Sequence, residues 1–108
     1  MTEIEIKQML EESKIPVFRG HAPVGTTVPY MVYNVNFSDN FGADNVTYAK
    51  IPQYQVDLYQ NTPSLEIRET IEQLLTANGF FYTEDEADME EQSLFVTYYY
   101  FGGINNGR

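Results

Sequence analysis

The feature that most constrains the fold is an uncharged run of aromatic and β-branched residues near the C-terminus, from Leu94 to Phe101. Residues of these types favour strands because they pack well on a pleated, half-buried surface. On an open sheet edge such a run would pair with other chains or aggregate. We therefore predict that this strand lies inside a sheet or is covered.

Length and composition predict one folded domain. The chain has 108 residues, and a second hydrophobic core would need roughly another hundred. Apolar residues make up 43% and charged residues 20%, which is typical of globular proteins. We predict one domain over residues 1–108, in which the Gly- and Asn-rich segment 102–108 is a flexible tail.

The charge of the chain argues against two classes of partner. Its formal net charge is -10, so a phosphate backbone would be repelled, and its six bases are scattered along the sequence. No apolar run approaches the roughly 20 residues that cross a bilayer, and the N-terminus has no signal-peptide core. We expect a soluble protein made in the cytoplasm that binds neither specific nucleic acid nor membrane. The absence of cysteine excludes disulfides and thiolate metal sites.

The first third of the chain contains a helix signal followed by loop signals. Thr2 and Glu5 form a capping-box pattern, and apolar residues then recur at helical spacing, which predicts a helix over 3–13. Pro16 disfavours helical geometry before it. The segment 17–29 is rich in Gly, Pro and Thr and is predicted to be a connecting loop.

The middle of the chain alternates in the manner of strands. Residues 30–37 alternate between two faces, and 46–51 and 54–60 supply β-branched and aromatic residues. We predict two strands after the turn-rich segment 38–45, or one strand broken near Pro52.

A second helix is predicted after residue 60. Thr62 is expected to be its N-cap, with Pro63 at the first helical position and Asn78-Gly79 as its left-handed end. Its apolar stripe consists of Ile67, Ile71, Leu74 and Leu75.

The remaining segments complete an α+β fold. We predict strands at 80–83 and 93–101, joined by the acidic segment 84–91 as a solvated turn. The expected architecture is an antiparallel or mixed four- to five-stranded sheet with two helices packed on one face. Two helices cannot cover both faces of such a sheet. We therefore expect some tyrosines, including Tyr30, Tyr59 and Tyr99, to remain partly exposed as a partner surface.

Nothing in the sequence indicates catalysis, a cofactor or a metal. The one histidine, His21, lies in a loop without a metal-ligand spacing, and an activated nucleophile with an oriented base is not evident. The acids of 84–91 lack the central Gly of a calcium loop. The triplet 98–100 lacks the interleaved bases that single-strand nucleic-acid binders use, so strand core and protein contact explain it better.

Several blocks of the chain resemble the tail completion, or tail terminator, proteins of long-tailed bacteriophages and prophages. The blocks are Pro16–Gly25, Pro29–Tyr33, Asn40–Asn45 with Tyr48, and Tyr54–Tyr59. The likeness spans nearly the whole chain and consists of structural residues. It implies a virion protein that forms a ring, expected to be a hexamer, on the head-proximal end of the tail. Such a ring stops polymerisation of the major tail tube protein and offers a docking surface to the head connector or stopper protein, and DNA passes through it.

The resemblance and the composition together suggest two contact surfaces. The first is the loop with Asn40, Phe41, Asp44 and Asn45, as an intersubunit or tube contact; the alternative is an ordered turn whose Phe41 packs into its own core. Arg19 and His21 in the earlier loop form the second candidate surface.

Other functions stay open on the sequence alone. A head-side connector or stopper protein would also be a small ring-forming subunit. An acidic, prophage-encoded binding module would instead be a monomer with a one-to-one partner. An enzyme would require carboxylates that converge in a pocket.

Overall fold

The computed structural model describes residues 2–39, 50–89 and 93–102. Seven elements follow one another along the chain. They are α1 (Glu3–Glu11), β1 (Val17–Arg19), β2 (Tyr30–Asp39), β3 (Lys50–Gln60), α2 (Leu65–Ala77), β4 (Tyr82–Met89) and β5 (Leu94–Gly102). The protein is thus an α+β fold, as the sequence predicts.

The five strands form one mixed sheet in the order β1-β2-β3-β5-β4. β1 pairs parallel with β2, and the other three pairings are antiparallel. The uncharged segment that begins at Leu94 is β5, which lies between β3 and β4. Its prediction as an interior strand is confirmed, and its backbone groups are paired on both sides where β3 and β4 extend alongside it.

Both helices pack on the same face of the sheet. Alternate residues of β2, β3 and β5 point toward the apolar stripes of α1 and α2 and form one core with them. The buried members of this core are Ile6, Met9, Leu10, Met31, Tyr33, Tyr54, Val56, Leu58, Ile71, Leu75, Phe80, Tyr99 and Phe101. Neither helix of the described residues has the length and apolar character that a membrane span needs.

Helix α1 begins as the sequence predicts. The Thr2 hydroxyl accepts from the Glu5 amide, and the Glu5 carboxylate accepts from the Thr2 amide, which completes the capping box. The helix ends at Glu11, two residues before the predicted end, and Lys14 then adopts a φ of 69°. The prediction was long because the charged residues after Leu10 carry no apolar periodicity that marks a boundary.

The predicted start of α2 was wrong by two residues. Ser64, and not Thr62, is the N-cap, and its hydroxyl accepts from the Ile67 amide. Pro63 therefore precedes the helix instead of occupying its first position. The predicted C-terminus is confirmed, because Asn78 is the C-cap and Gly79 has a φ of 85°.

Two strands lie in segments that the sequence analysis assigned to loop or turn. The predicted loop 17–29 contains β1, which has only three residues and so shows no periodicity. The predicted acidic turn 84–91 is strand as far as Met89, because β4 is an edge strand paired with β5 along its whole length. Acidic residues are poor strand formers, but on an edge they stay exposed and discourage pairing with other chains.

Arg68 on α2 joins that acidic edge to the helices. Its guanidinium donates to Glu84 at 2.7 Å and also to Glu86, and it lies 3.8 Å from Glu72. Glu72 in turn accepts from the Tyr99 hydroxyl at 3.0 Å. One cation thus contacts three carboxylates from a helix and a strand and offsets part of their charge, which helps an acidic β4 remain beside α2.

Replacing Arg68 with alanine is expected to lower the free energy of unfolding by about 1–3 kcal/mol. The loss is larger than for an exposed pair because Arg68 is mostly buried, and it is limited because the glutamates of β4 are partly solvated. Urea denaturation checks the value. Lys7→Ala is the matched control, because its exposed pair with Glu11 at 3.9 Å is expected to contribute under about 0.5 kcal/mol. Equal losses in the two variants would contradict this role of Arg68.

Candidate functional site

The second face of the sheet has no helix over it in the part of the chain that the structure describes. Successive residues of a strand point to opposite faces of the sheet, so the strand residues that alternate with the core residues lie on this second face. We call it the uncovered face. It consists of Phe18, Tyr30, Val32, Asn34, Gln55, Asp57, Tyr59, Asp85, Val96, Tyr98 and Tyr100.

Aromatic rings form a partly exposed layer on the uncovered face. Tyr30 of β2 stacks on Tyr59 of β3 with 4.9 Å between ring centroids, and Phe18 packs edge-on against Tyr30 at 6.2 Å. On β5, Tyr98 and Tyr100 lie side by side at 6.4 Å, and Tyr100 is 42% exposed. The face therefore offers flat rings with polar ends, which is the side-chain chemistry that protein interfaces favour.

Asp57 lies in the middle of this aromatic layer. It is opposite Val32 on β2 and opposite Tyr98 on β5, and its neighbours on the same face of β3 are Gln55 and Tyr59. Its residue surface is only 7% exposed, and among the residues whose burial the structure describes it is the only charged one that is buried. A carboxylate in such a position loses hydration that its surroundings must replace.

The surroundings of Asp57 replace that hydration only in part. The Gln55 amide donates to Asp57 Oδ1 at 2.8 Å, and no basic side chain that the structure describes forms an ion pair with it. Burial raises the pKa of the Asp57 carboxyl, and the hydrogen bond from Gln55 opposes this rise. The ionised form is thus less favourable here than in the unfolded chain.

An Asp57→Asn variant is expected to be at least as stable as the wild-type subunit at pH 7. A raised folded-state pKa means that ionised Asp57 destabilises the fold at every pH above that pKa, and that the penalty disappears below the unfolded value of about 4. The stability gain from Asn should therefore be present at pH 7 and absent near pH 3. Urea denaturation at both pH values checks this. A variant clearly less stable than wild type at pH 7 would contradict it.

The nearby tyrosines are held in their neutral form. Burial raises the pKa of Tyr59 and of Tyr100, and in both cases the negative charge of Asp57 raises it further. Their hydroxyl groups therefore remain protonated at neutral pH and are available as hydrogen-bond donors to a partner.

The described residues contain no group of three or more His, Asp or Glu side chains arranged to hold a metal ion. A hollow of about 420 Å³ lies between the start of α2 and strands β4 and β5, lined by Gln60, Arg68 and Thr97 among others. Arg68 is engaged there with Glu84 and Glu86.

Only two of the six predicted contact residues lie in the described part of the chain. Arg19 is the last residue of β1 and donates to Glu3 of α1, on the helix side of the sheet. His21 is exposed just beyond it. Residues Asn40, Phe41, Asp44 and Asn45 lie outside the described residues, so their predicted contact stays a prediction.

The uncovered face was partly predictable from the sequence. Tyr30 and Tyr59 are on it, as expected, but the expectation that Tyr99 is partly exposed was wrong, because Tyr99 points into the core and is fully buried. Asp57 was not singled out. The available signal was an acid in the middle of a predicted strand, with Tyr54 and Tyr59 on either side of it in the sequence.

Comparisons with known proteins do not assign the chain to a family. No protein-family model matches the sequence. A search of curated proteins likewise found no match.

Proposed function

We propose that this chain is a structural subunit that works by binding other proteins through the uncovered face of its sheet. The observation that carries the proposal is the aromatic layer around Tyr30, Tyr59, Tyr98 and Tyr100, which no described element of the subunit covers. Tyrosines with exposed rings and neutral hydroxyls are typical of protein contact surfaces. The face is formed largely by interior strands, so it is rigid and preorganised.

The specific role that we propose is tail completion in a long-tailed bacteriophage. This role rests on the resemblance of the sequence blocks given above, and the α+β fold and the uncovered face are compatible with it. In this role, copies of the chain form a ring, expected to be a hexamer, at the head-proximal end of the tail. The ring contacts the major tail tube protein on one side and the head connector on the other.

The edges of the sheet support contact through a face and not through strand addition. β4 carries Glu84, Asp85, Glu86 and Asp88 along one edge, and β1 at the other edge has only three residues. A charged edge and a very short edge both discourage pairing with another chain. A ring is closed by contacts between unlike surfaces of identical subunits, so ring closure does not require the uncovered faces of two copies to meet.

A second candidate function is a monomeric binding module with an acidic surface. The exposed acids of β4 and the net charge of -10 favour this alternative. It differs in predicting one chain per partner and no ring.

Removal of the gene from a phage that encodes this chain tests the proposed role. We expect tails of uncontrolled length, or tails of normal length that do not join heads, and restoration of both by the wild-type gene. Negative-stain electron microscopy of the lysate provides the measurement. Normal tails joined to filled heads in the deletion strain would contradict the proposal. A defect confined to the host, with intact virions, would favour the binding module.

A further inference from the structure

The uncovered face holds an acid whose charge no described side chain of the subunit balances. Asp57 is 7% exposed and is bonded by Gln55 alone among the described side chains. A buried carboxylate without a cation lowers the stability of the free subunit. The free-energy cost of burying such a carboxylate is offset when a binding partner supplies the missing positive charge.

No base whose side chain the structure describes is placed to supply that charge. Lys7 and Arg68 are on the helices, Lys14 directly follows α1, and Arg19 bonds Glu3 of α1. All four therefore belong to the helix side of the sheet. Around Asp57, β2 contributes Val32, β5 contributes Tyr98, and the nearest charged position one strand further is another acid, Asp85.

The groups that border Asp57 suit a cation. Tyr59 and Tyr98 are next to it, and Tyr30 and Tyr100 occupy two of the diagonal positions on the neighbouring strands. The π-faces of tyrosine rings attract ammonium and guanidinium groups within about 6 Å. A carboxylate with tyrosines on several sides offers both a counter-charge and a flat apolar border for a lysine or arginine side chain.

We propose that Asp57 and the tyrosines around it form a binding site for a lysine or arginine side chain of a different protein. The inference rests on the proposed function, because it takes the uncovered face to be a protein contact. The lysine or arginine could come from a second copy of this chain or from a different protein, and the charges of these two candidates favour a different protein. The helix side of a copy carries more acids than bases and offers Asp57 little counter-charge, whereas a basic partner is attracted to Asp57 and Asp85 together.

The site is tested by titrating the ¹⁵N-labelled chain with the blocked tripeptide acetyl-Gly-Arg-Gly-amide. We expect saturable chemical-shift changes centred on Gln55, Asp57, Tyr59 and Tyr98. The tripeptide with citrulline in place of arginine has nearly the same shape without the charge, and we expect it to bind at least about 10-fold more weakly. In the wild-type chain, the ¹³C titration of the Asp57 carboxyl should move to lower pH when the arginine peptide is present.

Two variants separate Asp57 from general electrostatics. Asp57→Asn is expected to weaken arginine-peptide binding at least about 10-fold, while Asp85→Asn, an exposed acid on the same face, changes it less than about twofold. Equal binding to Asp57→Asn and wild type, equal binding of the citrulline peptide, or no binding of either peptide would overturn the proposal.

Sedimentation of the chain alone identifies the source of the cation. We expect that any self-association is insensitive to Asp57→Asn. Self-association that disappears in this variant would show that a second copy fills the site and would overturn the choice of a different protein.

The outcomes of the peptide titration and of sedimentation are independent of the gene-deletion experiment. Normal tails without the gene would refute the tail role while leaving the peptide titration interpretable.

Discussion

A Tyr30→Ser/Tyr59→Ser double variant is expected to fold normally and to lose assembly. The two rings stack on each other at 4.9 Å on the uncovered face and are only partly buried in the free subunit, so their removal leaves the helix-side core intact. Central tyrosines of an interface each contribute about 2 kcal/mol or more to binding. Loss of both should weaken the partner contact by about 1,000-fold.

Complementation of a deletion strain with this double variant provides the measurement. We expect at least about a 100-fold drop in infectious particles, with the variant protein folded by circular dichroism and present at wild-type levels. Phe81→Ser is the matched control, because Phe81 is an aromatic residue with 89% exposure that lies outside the strands. Full complementation by the tyrosine variant would show that the uncovered face is not the contact surface.

The second large effect is expected from Gly102→Ala, which should lower the free energy of unfolding by about 2–5 kcal/mol. Gly102 has a φ of 137°, which residues with a side chain rarely adopt. A Cβ at this position would lie 2.7 Å from the Pro52 carbonyl oxygen and 3.1 Å from the Gln53 Cα, both backbone atoms of β3. Conformational strain of about 1–2 kcal/mol and overpacking of about 1–3 kcal/mol therefore add.

Urea denaturation of Gly102→Ala and Gly20→Ala separates these two contributions. Gly20 also has a positive φ, 83°, but a Cβ there would meet nothing within 4 Å. We expect Gly20→Ala to lose only the conformational part, about 1–2 kcal/mol. Equal losses in the two variants would contradict the close approach of Gly102 to β3.

The close approach of Gly102 to β3 also explains one boundary that the sequence did not indicate. The Gly-rich tail was predicted to start at residue 102, yet Gly102 is the last residue of β5 and pairs with Gln53. Strand β3 also continues through Pro52, the residue before Gln53, at which the described pairing with β5 ends. Proline has no amide donor, and this lack is tolerated where the pairing with a neighbouring strand has ended. Gly102 and Pro52 thus lie at a close contact between β5 and β3. From the sequence, Gly102 was predicted to begin the tail and Pro52 to interrupt a strand.

Long periodic segments were the predictable part of the fold. The apolar stripe of α2, the alternation of β2 and the uncharged run of β5 each carried a signal over several residues. β1 and the acidic β4 became strands through pairing with a neighbour, which local sequence does not show. The same limit explains Tyr99: the triplet Tyr98-Tyr99-Tyr100 alternates between faces, and only the register shows which ring enters the core.

The candidate site was less predictable than the fold. Strand alternation predicts that Asp57 points to the other face of the sheet from its neighbours Val56 and Leu58, which are core residues. It does not show that the helices leave this other face uncovered. The burial of Asp57 depends on Val32 and Tyr98, which lie more than twenty residues away in the sequence on either side. A site formed across three strands becomes visible only when their order is known.

Accessibility of a single introduced thiol tests the central claim most directly, because the chain contains no cysteine of its own. Asn34→Cys places a thiol on the uncovered face, and Gln73→Cys places one on the exposed side of α2. Maleimide labelling rates are measured for each variant in the free subunit and in purified tails. We predict that assembly slows labelling at residue 34 at least about 10-fold more than at residue 73. Unchanged labelling at residue 34 in assembled tails would contradict the proposal that the uncovered face is where this protein meets its partners.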